Sequence, residues 1–399
     1  TTWKKIWNDI ERDDFFKVIK EDLKVPGILY AGAERGLYIS FDGGTTFTKF
    51  QLNLPIVPIT DLAIRDNSLA ASTAGRSFWV LDDLSALQQS KAVAKNFQLY
   101  TPKPQYRIPG PPPFTLITEH GFGQNPTEGI AINYFIEDTS SNNTLSLEIQ
   151  NANGDIIRKY SGKKSLAKFG TEGGRGNLEA PNVDTPLIVK GMNTFYWDLR
   201  TQGLEKSKDF IQEADYRGYK VAPGSYKARM TYGKETKEVE MVLLDLPTNK
   251  IPQELWDQQQ AMLKSLTYKI SEIQQKMKSA QEIKSQLDGI YERIKSEPNS
   301  EELKKASESL NTKLKDWQTQ VVELRQKGFQ DALNWPAGII SEFFFVRNNL
   351  DTYEPSIPKG YQDRIKDLEE NWNSYEQQFD KIIETEAKPF NEKFRALNM

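Results

Sequence analysis

Ser40-Phe41-Asp42-Gly43-Gly44-Thr45-Thr46-Phe47 decides how the first hundred residues are read. Asp42-Gly43-Gly44 is a hairpin signal, because glycine adopts the positive backbone angles that a tight turn requires. The Asp42 carboxylate can accept turn N–H groups, the Ser40 and Thr46 hydroxyls can tie the two arms, Gly44 lets the turn close, and Phe47 can pack between sheets. This chemistry accounts for all five residues as structural, with no substrate needed. On either side lie short β-branched and aromatic runs, at 15–19, 28–31 and 36–40, separated by Gly, Pro or charged turns. A second pass follows at 59–64, 68–72 and 76–81. The pattern predicts a meander that repeats.

The spacing S-x-D-x-G-x-T-F resembles the Asp-box of sialidase-type (BNR) repeats in β-propellers. The stretches 29–38 and 74–83 are similar to the closing blades of large bacterial glycosyl-hydrolase-like proteins that carry BNR and sortilin (VPS10)-like propellers. The resemblance implies that residues 1–100 are closing propeller blades. A blade takes about 40–50 residues and a ring needs at least four blades, so this segment supplies roughly two. The expected partner is therefore a set of upstream blades, in the same polypeptide, a cleaved fragment or a second copy. The start at Thr1 rather than Met fits a processed or partial product.

Proline is dense at 101–113, which reads as an extended linker. Residues 114–247 alternate as half-buried strands, with Asn153-Gly154 as a second hairpin turn, and predict a small β-sandwich. The phrases at 191–200 and 222–226 resemble the Ig-like domain of the flagellar hook-capping type; residues 161–190 and 201–220 would be loops inserted between its strands. From Pro252 the composition turns to Gln, Lys, Glu, Leu and Ile, and apolar residues keep three-and-four spacing from Leu263 to Ile294, with Lys284 interrupting the seam. Further helical patterns follow at 303–324, 336–350 and 361–382, predicting an antiparallel helical bundle over 252–399. The fold class expected is multidomain β plus α: partial propeller blades, an Ig-like sandwich and a C-terminal bundle.

Composition narrows the chemistry. The 399 residues contain no Cys and one His, which excludes disulfides, thiolate metal sites, cysteine nucleophiles and any site needing two His ligands. With 52 basic and 55 acidic residues there is no global attraction to nucleic acid, and no apolar run approaches the ~20 residues of a membrane span. No metal or cofactor is expected.

Asp82 and Asp83 are adjacent carboxylates after a strand, and adjacent residues point to opposite faces, so they make no facing acid/base pair. Arg35, Arg65 and Arg76 invite comparison with the arginine cluster of sialidases, but no matching Tyr and Glu set accompanies them. His120 lies in a Gly-rich stretch without a Gly-x-Ser-x-Gly elbow, and 170–176 lacks the Lys-Ser/Thr ending of a phosphate loop. Phe343, Phe344 and Phe345 cannot all enter one helical seam, so at least one should face a neighbouring domain or partner. The function expected is a non-catalytic scaffold, or a protein- or glycan-binding portion of a large extracytoplasmic bacterial propeller protein at the cell envelope or secreted. The alternatives are the C-terminal part of a glycoside hydrolase whose active site lies in upstream blades, and a sortilin-like peptide-binding receptor.

Overall fold

The computed structural model describes residues 14–90, 96–108, 128–140, 142–164, 185–207, 210, 214–248, 251–297, 300–326, 331, 334–335 and 338–396. They fall into two compact units. A β unit comprises Thr1–Leu199 and Pro223–Leu246, and a helical unit comprises Arg200–Ala222 and Pro247–Met399.

The β unit starts with a four-stranded antiparallel meander, β1 (Phe16–Glu21), β2 (Leu29–Ala33), β3 (Gly36–Ser40) and β4 (Thr48–Lys49), each strand paired with the next. A three-stranded meander follows, β5 (Ile59–Arg65), β6 (Ser68–Thr73) and β7 (Phe78–Leu81). Its β5–β6 turn has positive φ at both Asp66 and Asn67, a geometry that matches the twist of the strands it joins. Alternation decides which sheet face is covered. Tyr30, Leu37 and Ile39 of the first sheet pack with Ile59, Leu62, Leu69 and Ala71 of the second in one core. The opposite face of the first sheet carries Ala31, Ala33, Tyr38 and Phe47, with Phe16 lying 4.8 Å from Phe47. Helix α1 (Ser85–Gln89) then leads onward.

Among the described residues this unit holds two further sheets. One is ordered β13-β10-β8, from β8 (Phe97–Leu99), β10 (Ile130–Ile136) and β13 (Gly191–Trp197). The other is ordered β12-β11-β14-β15-β9, from β9 (Gln105–Tyr106), β11 (Leu145–Gln150), β12 (Ile156–Ser161), β14 (Gly224–Tyr232) and β15 (Glu235–Leu244). Ring pairs join the two sheets: Tyr160 to Phe195 at 4.7 Å, Trp197 to Tyr226 at 5.2 Å and Phe97 to Tyr232 at 5.8 Å. The outward side chains of the larger sheet form cross-strand ion pairs such as Lys159–Glu148 and Arg229–Glu238. Two details differ from the sequence reading. Phe97–Leu99, assigned to the first segment, pairs with β10, and Gln105–Tyr106, read as linker, lies parallel to β15. Most of the proline run, at 109–113, is outside the described residues.

The helical unit is built from α2 (Gln253–Ile294), α3 (Glu301–Val321), α4 (Ile339–Leu350), α5 (Lys359–Ile382) and α6 (Lys388–Ala396), the last two joined by a π-helical turn, Ile383–Ala387. Pro389 has no N–H for an α-helical bond to residue 385, and the helix opens at that turn. Between α2 and α3 the bonds Lys284–Gln318, Asn311–Asp288 and Tyr291–Glu308 run in opposite directions along the two sequences, so these helices are antiparallel. The seam residues Leu263, Leu266, Ile270, Ile273 and Met277 are buried as their spacing predicts. Lys284 interrupts the seam with an ammonium that reaches the buried Gln318. The sequence reading places 201–220 as a loop of the sandwich; the segment clusters with the helices instead, and its residues Tyr216, Leu204, Phe210, Ala214 and Tyr219 join the helical core.

Candidate functional site

The Asp42 hairpin engages every side-chain oxygen it has. Ser40 Oγ, 1% exposed at the residue level, donates to Asp42 Oδ1 at 2.8 Å and accepts the Gly44 N–H at 2.9 Å. Asp42 takes the Thr46 N–H at 2.9 Å on Oδ1 and the Thr46 hydroxyl at 2.7 Å on Oδ2. The Thr46 backbone bond, with lesser help from the Thr46 and Ser40 hydroxyls, outweighs partial burial and holds the Asp42 carboxyl below its ordinary pKa. Gly43 and Gly44 have φ of 70° and 88°, angles open to glycine. A carboxylate this fully used, in a closed turn, is placed for hairpin capping rather than for proton transfer.

Among the described residues, the other sequence candidates do not converge on a cleft. Asp83 Oδ1 accepts the Ser85 N–H and the Asn67 amide, closing the turn into α1, while the exposed Asp82 offers its main-chain carbonyl to Lys103 and Ser68. Arg35 is exposed, Arg65 pairs with its neighbour Asp66 in solvent, and Arg76 bonds to the Gly75 carbonyl. His120 and 170–176 lie outside the described residues. Phe343 and Phe344 are buried in the helical core, and Phe345 is 58% exposed.

Apolar side chains stand open on the outer face of the second meander. Register aligns Ala63, Ala70 and Val80 in one row and Asp61, Ser72 and Phe78 in the next. Phe78 is 78% exposed and Val80 58%. On the alternate rows Leu62, Ala71, Ile64, Leu69 and Leu81 pack in the core shared with the first sheet, so the two faces of one sheet meet opposite environments. Small side chains flanking an exposed aromatic give a flat face that a second sheet can approach closely. The sequence reading noted strand β7 without recognising its exposed face, which the alternation of Phe78 and Val80 against Trp79 and Leu81 encodes.

Asp22 was also missed. Its carboxylate is 5% exposed at the residue level and accepts the N–H groups of Lys24 and Val25, the Tyr30 hydroxyl and the Gln88 amide. Burial pushes its pKa up, but these donors, led by Gln88, outweigh burial and leave it lowered, while burial and the Asp22 charge raise that of Tyr30. This knot ties the β1–β2 turn to α1. Among the described residues no group of three His, Cys, Asp or Glu side chains is arranged for a metal, and no helix is long and apolar enough to cross a membrane.

No family model and no curated protein matches the chain. Among solved structures it is similar to the extracellular domain of a Bacteroides thetaiotaomicron protein, described once as a hybrid two-component system and once as a one-component system. The two matches have 9% and 10% identity, cover 58% and 60% of this chain, and have a TM-score of 0.16 each. This chain spans about a quarter of their length, 25% and 26%. A TM-score that low assigns neither fold nor function.

Proposed function

We propose that this chain is a non-catalytic part of a larger β-propeller protein of the bacterial cell envelope or of a secreted protein, in which it serves as a scaffold or as a protein- or glycan-binding portion. In this reading the two meanders are propeller blades, the Ser40–Phe47 hairpin is an Asp-box, the two ring-paired sheets form an Ig-like sandwich, and the helices form an appended antiparallel bundle. The observation that carries it is the open face of the second meander, with Phe78 and Val80 exposed beside Ala63 and Ala70. The first meander covers the inner face of the second through a shared apolar core, and a further blade stacked outside would cover the outer face in the same manner. The envelope or secreted location rests on the motif resemblance in residues 29–47 and 74–83.

The test uses the full chain. Wild type should bind 1-anilinonaphthalene-8-sulfonate or self-associate in sedimentation, and Phe78→Ser with Val80→Thr should abolish either behaviour with little change in melting temperature. A wild-type chain that neither binds the dye nor associates would remove the stacking argument. A panel of fluorogenic glycosides should show no turnover; reproducible hydrolysis lost in Asp82→Asn or Asp83→Asn would put a catalytic site in this chain and overturn the non-catalytic reading.

A further inference from the structure

Residues 200–222 leave the β unit after β13 and rejoin it before β14, and they cluster with the helical unit. Within the excursion two short arms run antiparallel, with Arg200 bridged to Lys220, the Thr201 N–H on the Tyr219 carbonyl at 3.0 Å and the Leu204 N–H on the Tyr216 carbonyl at 2.8 Å. The arms touch closely: a Cβ on Gly218 would lie 1.9 Å from the Thr201 carbonyl oxygen.

The helices hold this excursion mainly by its main chain. Arg347 of α4 is 1% exposed; its Nη1 donates to the Asp215 carbonyl at 2.8 Å, its Nη2 donates to the Arg217 carbonyl, and its Nε donates to Thr267 Oγ1 of α2 at 3.1 Å. Asp351, next after α4, accepts the Lys220 N–H at 3.0 Å and pairs with Arg200 at 2.9 Å, both side chains 11% exposed. From α2, Gln260 donates to the Lys220 carbonyl at 3.0 Å and Gln274 to the Glu205 carbonyl at 2.9 Å. Phe344 meets the Tyr216 ring at 5.1 Å.

We infer that residues 200–222 are a strap through which the helical unit and the β unit unfold as one cooperative body. Detaching the strap strips the acceptors from a buried guanidinium and uncovers Phe344, so the helical unit loses core and polar satisfaction together. The strap ends run directly into β13 and β14, and β14 is an interior strand of the five-stranded sheet, paired with β11 and β15. Melting that sheet frees the strap, and freeing the strap weakens the helices. A single connection at residues 246–247 would impose no such dependence; with the strap, the chain passes between the units three times.

The test is calorimetry and native-state hydrogen exchange on the full chain. Wild type should show one thermal transition, and the slowest-exchanging amides of α4 and β14 should share one opening free energy and respond alike to denaturant. Arg347→Met with Asp351→Asn should split the transition in two and speed exchange in α4 by an order of magnitude or more relative to β14. If that variant does not fold, a site-specific protease sequence inserted between Ala222 and Pro223 keeps every strap contact, and cutting it should split the transition. Two resolved transitions in the intact wild type, or cutting that leaves a single transition, would overturn the inference.

Discussion

Two apolar runs of this molecule meet different fates: Phe343-Phe344-Phe345 in helix α4 and Phe78-Trp79-Val80-Leu81 in strand β7. The helix buries two of its three consecutive rings and exposes the third, whereas the strand exposes every second side chain. Geometry explains the difference. Consecutive helical residues are about 100° apart, so a broad apolar arc against several neighbours can take two adjacent rings and leave one outside. Strand residues alternate by about 180°, so a sheet covered on one face must show half its side chains on the other. Phe345 is therefore a single exposed ring on a covered helix, and Phe78 belongs to a continuous face. The contrast can be tested by substitution at both places.

The largest effect should come from inside the helical run. Phe344 is 2% exposed and touches Tyr216 of the strap, so Phe344→Ala creates a cavity and loosens the strap at once. A loss of about 3–5 kcal/mol in denaturant unfolding is expected. A loss below about 1 kcal/mol would mean that the run is interchangeable with its exposed member, and the comparison would fail.

The next effect tests the closed side of the first meander. Asp22→Asn should cost about 1–3 kcal/mol at neutral pH, because the buried carboxylate that gathers four donor groups is replaced by an amide. The folded pKa of Asp22 lies below its ordinary 3.8, so the carboxylate contributes stability above that value and loses the contribution as pH falls through the folded pKa. The wild-type advantage should be constant from pH 5 upward and shrink below about pH 4. Asp42→Ala should cost less, about 1 kcal/mol, since its hairpin is open to water that can replace the lost acceptor. Equal losses at both carboxylates would contradict the assignment of one as buried knot and the other as exposed cap.

Much of the β unit was legible because alternation and turn residues are local signals. The runs read at 28–31, 36–40 and 68–72 overlap strands β2, β3 and β6, and Asp42-Gly43-Gly44 lies between β3 and β4. The long helices were legible for the same reason, with the seam from Leu263 to Ile294 following three-and-four spacing. Strands β8 and β9 have three and two residues, too short for a period to show. The strap was not legible because its recognition falls on main-chain carbonyls, which every residue carries. Arg347 left one trace: a cation at core spacing with Phe343 and Leu350, where a seam residue belongs. Its environment ties residues 252–399 to the strap, since two acceptors of that cation lie at residues 215 and 217.

The smallest expected change in stability carries the sharpest form of the comparison. Phe78→Ser and Phe345→Ser each replace an exposed ring, 78% and 58% accessible, so each should alter unfolding free energy by no more than about 0.5 kcal/mol. Their surface behaviour should nevertheless differ. Phe78 stands beside Val80 on one sheet face, with Ala63 and Ala70 in the adjacent row and Asp61 and Ser72 in its own, and removing it takes the aromatic ring off that face. Phe345 sits on a helix whose neighbouring residues Asn348 and Asn349 are exposed and polar, with the Asn349 amide bonded to the Phe345 carbonyl. Dye fluorescence and sedimentation of the two full-length variants should therefore separate them: loss of binding or association in Phe78→Ser, and wild-type behaviour in Phe345→Ser. If Phe345→Ser were the one to lose it, the docking surface would move from the sheet to the helices, and the reading of the second meander as a blade awaiting a neighbour would lose its principal support.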